Sequence, residues 1–356
     1  MKLTELTETE YASVSESKVD SLKHTEGFAE ITSAFEKVHS EIAEEKRKNN
    51  QSTLKYFRLI SKREIENIPV RYTKEDITKF TFSLATRSEE EIAISGTFLT
   101  DLIMNHYKKN RWNRFLKNAK TLFSLKTVFS NTNMNEEYTI ITENLPCINY
   151  FGYDLNGPKV KIFGDIGHCL GEGMKSGRII VTGNCRDRCG SYMEGGKIII
   201  EGNAKDFVGK EMKGGIIHIL GNAGFCCGAR MKKGSIFING DVTRDLGYEM
   251  NGGFISIKGN AGKDTASFMC GGILEIKGNT GISCGLYMKR GLVTIQGNCG
   301  NSCGYHMEGG TIHIKGNAGH YIGYKMMNGR IYVEGEYYDE TVQHHKCKGG
   351  IFVKED

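Results

Sequence analysis

The sequence predicts a mainly β chain, in which a parallel β-helix of about ten 19-residue coils follows a mainly α-helical N-terminal domain. One methionine recurs every 19 residues without an insertion, aliphatic side chains alternate with variable ones inside each repeat, and glycines bracket the methionine. Self-similarity at one fixed period is the signature of a solenoid. The nine methionines are Met174, Met193, Met212, Met231, Met250, Met269, Met288, Met307 and Met326.

Each repeat contains one predicted β-strand, because two columns are always aliphatic and the column between them has no common chemistry. One fixed face and one free face at period two is typical of a strand with a single buried side. All copies run in one direction and the crossover is too short for a helix, so neighbouring strands are predicted to be parallel, roughly 4.8 Å apart. The aliphatic columns are Ile179, Ile198, Ile217, Ile236, Ile255, Leu274, Val293, Ile312 and Ile331, and Val181, Ile200, Ile219, Ile238, Ile257, Ile276, Ile295, Ile314 and Val333.

Glycine columns mark the predicted corners, where the backbone needs a positive φ or leaves no room for a Cβ. Before the methionine stand Gly171, Gly190, Gly209, Gly228, Gly247, Gly285, Gly304 and Gly323, and after it Gly177, Gly196, Gly215, Gly234, Gly253, Gly272, Gly291, Gly310 and Gly329. A further column follows the strand: Gly164, Gly183, Gly202, Gly221, Gly240, Gly259, Gly278, Gly297, Gly316 and Gly335.

An asparagine column comes directly after that glycine column. Its members are Asn184, Asn203, Asn222, Asn260, Asn279, Asn298 and Asn317, with Asp165 and Asp241 at equivalent positions. Stacked asparagines hydrogen-bond to one another in amide ladders. We therefore expect such a ladder to run along the coil axis.

The chain divides into three predicted segments. Residues 1–20 are rich in Ser, Thr and Glu without an apolar run, which predicts a loose tail, no signal peptide or membrane span, and a cytoplasmic location. Residues 21–145 are predicted to form the mainly helical domain, and residues 146–356 the β-helix. In the helical domain, a capping box is predicted at Thr73-x-x-Asp76, and strands between Val128 and Ile141. Apolar residues at helical spacing are Phe28, Ile31, Phe35, Val38 and Ile42.

A basic face is predicted on a helix near residues 107–120. It is a candidate contact for a nucleic acid or an acidic partner. The favoured interpretation is the solvated side of a helix whose aromatic residues are core, and a net charge of only +5 makes nucleic-acid binding an unfavoured alternative. The candidate interaction residues are Lys108, Lys109, Arg111, Trp112, Arg114 and Lys117.

The eleven cysteines fall mainly in columns that predict a buried, apolar position. Cys189, Cys227, Cys284 and Cys303 share one column with Leu170, Val208, Leu246 and Ile322, and Cys185 and Cys299 share another with Ala204, Ala223, Ala261 and Ala318. Reduced thiols are the favoured interpretation. A disulfide or metal at Cys185 with Cys189, or at Cys299 with Cys303, is the open alternative, and Cys284 and Cys303 fall on adjacent coils.

The outward positions do not predict an active site. Glu201, Glu275 and Glu334 are separated by several coils, so they cannot form the paired carboxylates of a glycosidase. His218 and His313 share a column but stand roughly 24 Å apart, too far to share a metal. The sequence therefore predicts no catalytic, cofactor-binding or metal-binding residues and no small-molecule substrate.

The repeat resembles the GXGXG family. Gly202-Asn203-Ala204 to Met212-Lys213-Gly214-Gly215, and Gly316-Asn317-Ala318-Gly319 to Met326, carry the pattern, which extends over about Val160 to Gly335. The family includes the C-terminal β-helix of the large subunit of glutamate synthase, and the repeat is also similar to that of one formylmethanofuran dehydrogenase subunit. The resemblance implies a right-handed β-helix that positions other domains or subunits and carries no catalytic residues. We identify no resemblance for the N-terminal region.

These observations favour a noncatalytic scaffold or assembly protein that presents a rigid surface to protein partners or to copies of itself. The outward aromatics Phe237, Phe254 and Tyr332 are the expected contact surface. One alternative is an accessory subunit of an oxidoreductase complex, similar to glutamate synthase or formylmethanofuran dehydrogenase. A second alternative is an interaction module that uses the basic helix at residues 107–120. The last turn is expected to leave the regular coil, because Lys354 falls in an inward column.

Overall fold

The computed structural model describes residues 26–48, 54–68, 72–73, 76–77, 80, 84, 95–107, 137–142, 148–339 and 345–354. The chain divides into two compact units. The first comprises Met1–Gly167 and Gly177–Thr182, and the second comprises His168–Ser176 and Gly183–Asp356. The domain boundary at residues 145 and 146 stays a prediction.

The first unit contains the helices α1 (Glu26–Lys48) and α2 (Leu54–Glu66), and residues 95–107 are also helical. The apolar residues predicted at helical spacing in α1 are buried, and Phe35 packs edge-on against Phe80 and Phe98 at ring distances of 5.3 Å and 5.1 Å. The predicted capping box is confirmed: the Asp76 amide donates to Thr73 Oγ1, and Asp76 Oδ2 accepts the Thr73 amide at 2.7 Å. Among the helices described, none combines the length and apolarity needed to cross a membrane.

Three parallel strands complete the first unit: β1 (Glu137–Ile141), β2 (Lys159–Phe163) and β3 (Arg178–Val181). β1 confirms a strand within the segment predicted at residues 128–141, of which residues 128–136 lie outside the described part. In β2 and β3, Val160 pairs with Ile179 and Ile162 with Val181, so identical columns stand side by side. The 19-residue period therefore sets the register.

The second unit is a solenoid of parallel strands, which confirms the predicted fold. Its main sheet contains β4 (Lys197–Ile200), β5 (Ile216–Ile219), β6 (Ser235–Ile238), β8 (Phe254–Ile257), β10 (Cys270–Ile276), β11 (Arg290–Ile295), β12 (Thr311–Ile314), β13 (Gly329–Asp339) and β14 (His345–Lys354), in that order. A second sheet pairs β7 (Val242–Arg244) with β9 (Ala261–Lys263). The repeat is mainly a stack of one strand per coil.

The two aliphatic columns and the methionine column form the interior of the coils. Every member of these three columns is at most 5% exposed. The variable column between the aliphatic ones is less buried, as the alternating pattern of β5 illustrates with Ile217 and Ile219 buried and His218 between them half-buried. The inward and outward assignment made from period two is confirmed.

The glycine columns serve two purposes. Gly215, after the methionine, has a φ of +88°, as the corner prediction requires. Gly202, after the strand, has no positive φ, but a Cβ there would stand 2.6 Å from Asn184 Oδ1 of the preceding coil. In this column the close approach of the neighbouring coil excludes side chains.

Two further columns adopt a positive φ at residues other than glycine, apart from Gly173 in the second column, and the sequence carries no signal for these non-glycine residues. Their φ angles lie between 51° and 64°. The left-handed region costs roughly 1–2 kcal/mol per non-glycine residue. Amides in these columns donate to carbonyls of the next coil, such as Arg188 to Asp206 and Tyr192 to Lys210, both at 2.8 Å. The columns are Cys169, Arg188, Phe207, Cys226, Asp245, Asp264, Ser283, Ser302 and Tyr321, and Tyr192, Glu211, Arg230, Glu249, Phe268, Tyr287, His306 and Lys325.

The asparagine ladder is present, but its hydrogen bonds differ from those expected. Each side-chain oxygen accepts the backbone amide of the equivalent residue in the next coil, for example Asn298 N–H to Asn279 Oδ1 at 2.7 Å. The expected contact between side-chain amides is longer, as at Asn203 Nδ2 and Asn184 Oδ1, 3.3 Å apart. Because only an oxygen acceptor is needed, Asp241 fits the column and accepts from Asn260 N–H at 2.6 Å.

The final strand reverses direction. β14 pairs antiparallel with β13, so that Lys354 lies opposite Gly329 and Phe352 opposite Ile331. This confirms that the chain leaves the regular coil before Lys354. The parallel stack therefore ends in a hairpin-like pair of strands rather than in another coil.

Candidate functional site

The predicted repeat residues build the frame of the solenoid, since they occupy its interior, corners and ladder. The predicted basic surface lies outside the described residues. The candidate sites that remain are the outward columns and the buried cysteines of the second unit.

A groove of about 480 Å³ crosses the outward face of the sheet. His218, Phe237, Lys258 and Lys277 are among the residues that line the groove, and the ring centroids of His218 and Phe237 are 6.1 Å apart. Phe254 packs on Phe237 at 5.8 Å, so two of the three aromatics predicted as a contact surface lie together. Tyr332 lies elsewhere, against His313 at 5.9 Å.

A larger group of partly exposed rings lies at one corner of the later coils, and we call it the aromatic stack: Phe268, Tyr287, His306, Tyr305 and Tyr324. Phe268 and Tyr287 are stacked at 5.2 Å with a 13° interplanar angle, and Tyr287 and His306 at 5.0 Å with 17°. Tyr305 then contacts His306 edge-on at 4.6 Å and stacks on Tyr324 at 5.5 Å.

The local backbone explains the aromatic stack. Phe268, Tyr287 and His306 occupy successive coils of one positive-φ column, so equivalent side chains repeat at the spacing of the strands. The signal is present in the sequence, because these residues differ by 19 and Tyr305 and Tyr324 differ by 19. The sequence-based prediction missed it because the rings lie at a corner, outside the strand columns from which the contact surface was predicted.

Charged side chains on the solenoid pair between neighbouring coils. Arg230 and Glu249 approach to 2.7 Å and Lys213 and Glu194 to 3.1 Å. The hydrogen bond from Arg230, followed by that from Tyr248, lowers the pKa of Glu249 below its ordinary value. These exposed pairs contribute little stability individually, but they neutralise the surface locally.

The outward carboxylates are not paired with one another in the described residues of the sheet. Glu334 Oε1 instead contacts His313 Nε2 at 2.7 Å, and His313 is 37% exposed in its side chain. This pair lies on an open sheet face that is accessible to water. General acid–base chemistry needs a substrate held beside such a pair. The geometry here provides a close histidine–carboxylate contact on an exposed face.

The cysteine columns are interior, as predicted. Cys189, Cys227, Cys284 and Cys303 are fully buried, and Cys185 and Cys299 are nearly so. The sulfurs of Cys284, Cys299 and Cys303 lie within 4.8 Å of one another and could hold a metal ion. Cys185 and Cys189 form a two-thiol contact, and the hydrogen bond with Cys189, followed by burial, raises the pKa of Cys185.

Comparisons with known proteins leave the family open. No family model matches the chain. No curated protein matches it. Among solved structures, it is similar to a chain of the formyltransferase/hydrolase complex (FhcABCD) from Methylorubrum extorquens, determined in complex with methylofuran. The identity is 25% over 48% of this chain and 58% of that chain, with a TM-score of 0.32. The protein spans less than two thirds of that chain.

Proposed function

We propose that the protein is a noncatalytic scaffold whose aromatic stack docks a protein partner. The observation that carries this proposal is the run of partly exposed, mutually stacked rings on a rigid solenoid. Tyr324 is 46% exposed and Phe268 is 36% exposed, so a large part of each ring surface faces solvent. Contiguous exposed apolar surface commonly marks a protein interaction site.

The chemistry of the aromatic stack suits a protein interface. Aromatic residues are enriched in the buried centres of interfaces, and charged residues are depleted there and common at the rim. Around the stack, Lys289 pairs with Glu308 across neighbouring coils, and the Lys325 ammonium lies 5.5 Å from the Tyr324 ring centroid. Met327 and Ile282, elsewhere in the same coils, are also exposed, at 49% and 51%.

Rigidity favours binding at this surface. The stack residues in the positive-φ column have their amides bonded to the next coil, as Tyr287 N–H is to the Tyr305 carbonyl at 3.1 Å. Little conformational entropy is therefore lost when a partner covers them. A solenoid whose interior is closed by aliphatic and methionine columns holds the rings at fixed spacing.

The test is a paired substitution, Tyr287→Ser in the stack and Tyr192→Ser outside it. Both tyrosines occupy the same column with φ near 51° and 57°, and Tyr192 is 37% exposed beside Glu211. The full tagged chain and each variant are purified from the source cells at near-physiological salt, and stoichiometric partners are quantified by mass spectrometry. Light scattering detects self-association.

Loss of a hot-spot ring should weaken binding by about 30-fold or more, while the control retains the partner. Retention by the Tyr287 variant, or equal loss in both variants, would refute docking at the stack. Co-purification of oxidoreductase or amidotransferase subunits in stoichiometric amount would support a more specific role, that of an accessory subunit of such a complex. Binding through the predicted basic helix would instead be salt-sensitive and lost on changing Arg111 and Arg114.

A further inference from the structure

Two adjacent coils bring three thiols and one hydroxyl to a single interior corner. Cys284 and Cys303 are equivalent residues of neighbouring coils, and Thr280 and Cys299 are the equivalent residues four positions before them. The three sulfurs lie within 4.8 Å of one another, and all three cysteines are at most 4% exposed. Thr280 is 6% exposed.

The Thr280 hydroxyl is a buried polar group that interacts with two of the three thiols. Its oxygen lies close enough to Cys284 and Cys299 to act on the pKa of both thiols. The hydroxyl therefore faces the sulfurs.

Packing alone does not require this corner to contain sulfur. In other coils the same two positions hold Ala204 with Val208, or Val242 with Leu246, and those side chains are buried. At the Cys185 and Cys189 corner the next coil supplies Ala204 and Val208, and no third metal-ligating group among the described residues lies within 4.8 Å of both sulfurs. Among the described residues, three metal-ligating groups converge only at Cys284, Cys299 and Cys303.

We propose that Cys284, Cys299 and Cys303 bind one Zn²⁺ ion inside the solenoid, with the Thr280 hydroxyl oxygen as the fourth ligand. Structural zinc sites are closed and tetrahedral, and thiolates bind at about 2.3 Å. Sulfurs around such an ion lie about 3.8 Å apart, so the corner needs to contract by about 1 Å at most. The Thr280 oxygen, which already lies beside the thiols, then completes the four-coordinate shell.

Charge favours zinc over copper. Thiolates select Zn²⁺ and Cu⁺ among common ions. Three thiolates leave one excess negative charge with Zn²⁺ and two with Cu⁺, and uncompensated charge in an apolar core is costly. The protons of the bound thiols pass to solvent when the metal binds, so binding strengthens as pH rises.

Burial determines when the metal enters. The folded corner has no exposed ligand, so the ion is incorporated while the coils close, and its binding free energy then stabilises the fold. Chelators should therefore remove zinc from the unfolded chain and hardly at all from the folded one. This behaviour distinguishes an interior site from metal held on the surface.

The decisive variant is Cys299→Ala, with Cys227→Val as the control. Alanine occurs in the Cys299 column at Ala261 and Ala318, so the coil accepts it, and valine occurs in the Cys227 column at Val208. Elemental analysis of the full chain after incubation with a chelator should find about one zinc per chain in the wild type and control. Cys299→Ala should lose nearly all of it.

A second variant and a spectrum test the ligand set. Thr280→Val should weaken zinc binding by about 10-fold or more during refolding with buffered Zn²⁺. X-ray absorption should show sulfur near 2.3 Å with one oxygen near 2.0–2.2 Å. Wild-type chain without zinc after refolding in its presence, or zinc retained by Cys299→Ala, would overturn the site. Copper at equal stoichiometry would overturn the assignment of the ion.

Discussion

Ala266 is the exception in the glycine column before the methionine. Its neighbour in the core, Val293, predicts that substitutions at the two positions have strongly coupled effects on stability. At Gly209 an added Cβ would stand 2.5 Å from Ile236 Cδ1, and Ile236 is 27 positions later in the chain. In other coils too, the side chain 27 positions after the glycine fills the space of its missing Cβ, as Leu274 does for Gly247. Ala266 has a φ of 61° and is fully buried, and 27 positions later stands Val293. Valine has no Cδ1, so the methyl of Ala266 takes its place.

The perturbation is Val293→Ile, alone and together with Ala266→Gly. In the parent chain the new Cδ1 overlaps the Ala266 methyl, and overpacking costs about 1–3 kcal/mol. In a chain that already carries Ala266→Gly, the same methylene fills open space and gains about 0.8 kcal/mol. The coupling free energy is therefore about 2–4 kcal/mol. Ala266→Gly alone should change stability little, because a lost methyl contact opposes relief of left-handed strain.

Urea unfolding of the four chains, followed by circular dichroism, measures this cycle. Repeat proteins can unfold in more than one step, so the midpoint of the same transition is compared in each chain. Hydrogen exchange in β11 provides a local readout. Additive effects, or a Val293→Ile chain at least as stable as the parent, would refute the explanation of the exception.

Three further predictions follow from the ladder, a surface pair and the interior. Asn279→Ala should lower the free energy of unfolding by about 0.5–1.5 kcal/mol and speed hydrogen exchange of the Asn298 amide. Asn279→Asp keeps the acceptor oxygen and should do neither. Equal loss of stability in both variants would favour a ladder of side-chain amides. The pKa of Glu249 is lowered in the folded chain, so its contact with Arg230 stabilises the folded state above the ordinary carboxylate pKa, and this stabilisation is lost as pH falls. Glu249→Gln should therefore reduce the small acid dependence of thermal unfolding. An unchanged pH profile would contradict this. Met250→Ala should cost about 2–5 kcal/mol in urea unfolding, and a loss below about 1 kcal/mol would show that the coil collapses around the cavity.

The solenoid could be predicted because each coil requires the same residue types at the same positions. A single strand pattern such as Ile198 to Ile200 is ambiguous, but the same pattern at one fixed period leaves few folds. Inward columns followed from period two, and positive φ at Gly215 followed from its position at a corner. Identical geometry in each coil turns weak local signals into a strong one.

Other features could not be predicted, because the relevant neighbours are in different coils. Positive φ at residues such as Arg188 leaves no compositional trace, since bonds to the next coil offset its cost. The sequence placed Cys284 beside Cys303 and left a Cys299 and Cys303 pair open, but the approach of Cys299 to Cys284 depends on the shape of the corner. For the groove, Lys258 and Lys277 share a column, but their position beside His218 needs coordinates.

The uniform step also gives the protein a unit of length. Each coil bonds mainly to the ones before and after it, so a chain that gained or lost 19 residues at a corner would keep every register. Such a change would move the surfaces on either side by one strand spacing, about 4.8 Å. Within the second unit, distances along the coil axis between equivalent surface positions are therefore whole multiples of the strand spacing, like the marks on a ruler. Duplication of a repeat would lengthen that ruler without a new fold.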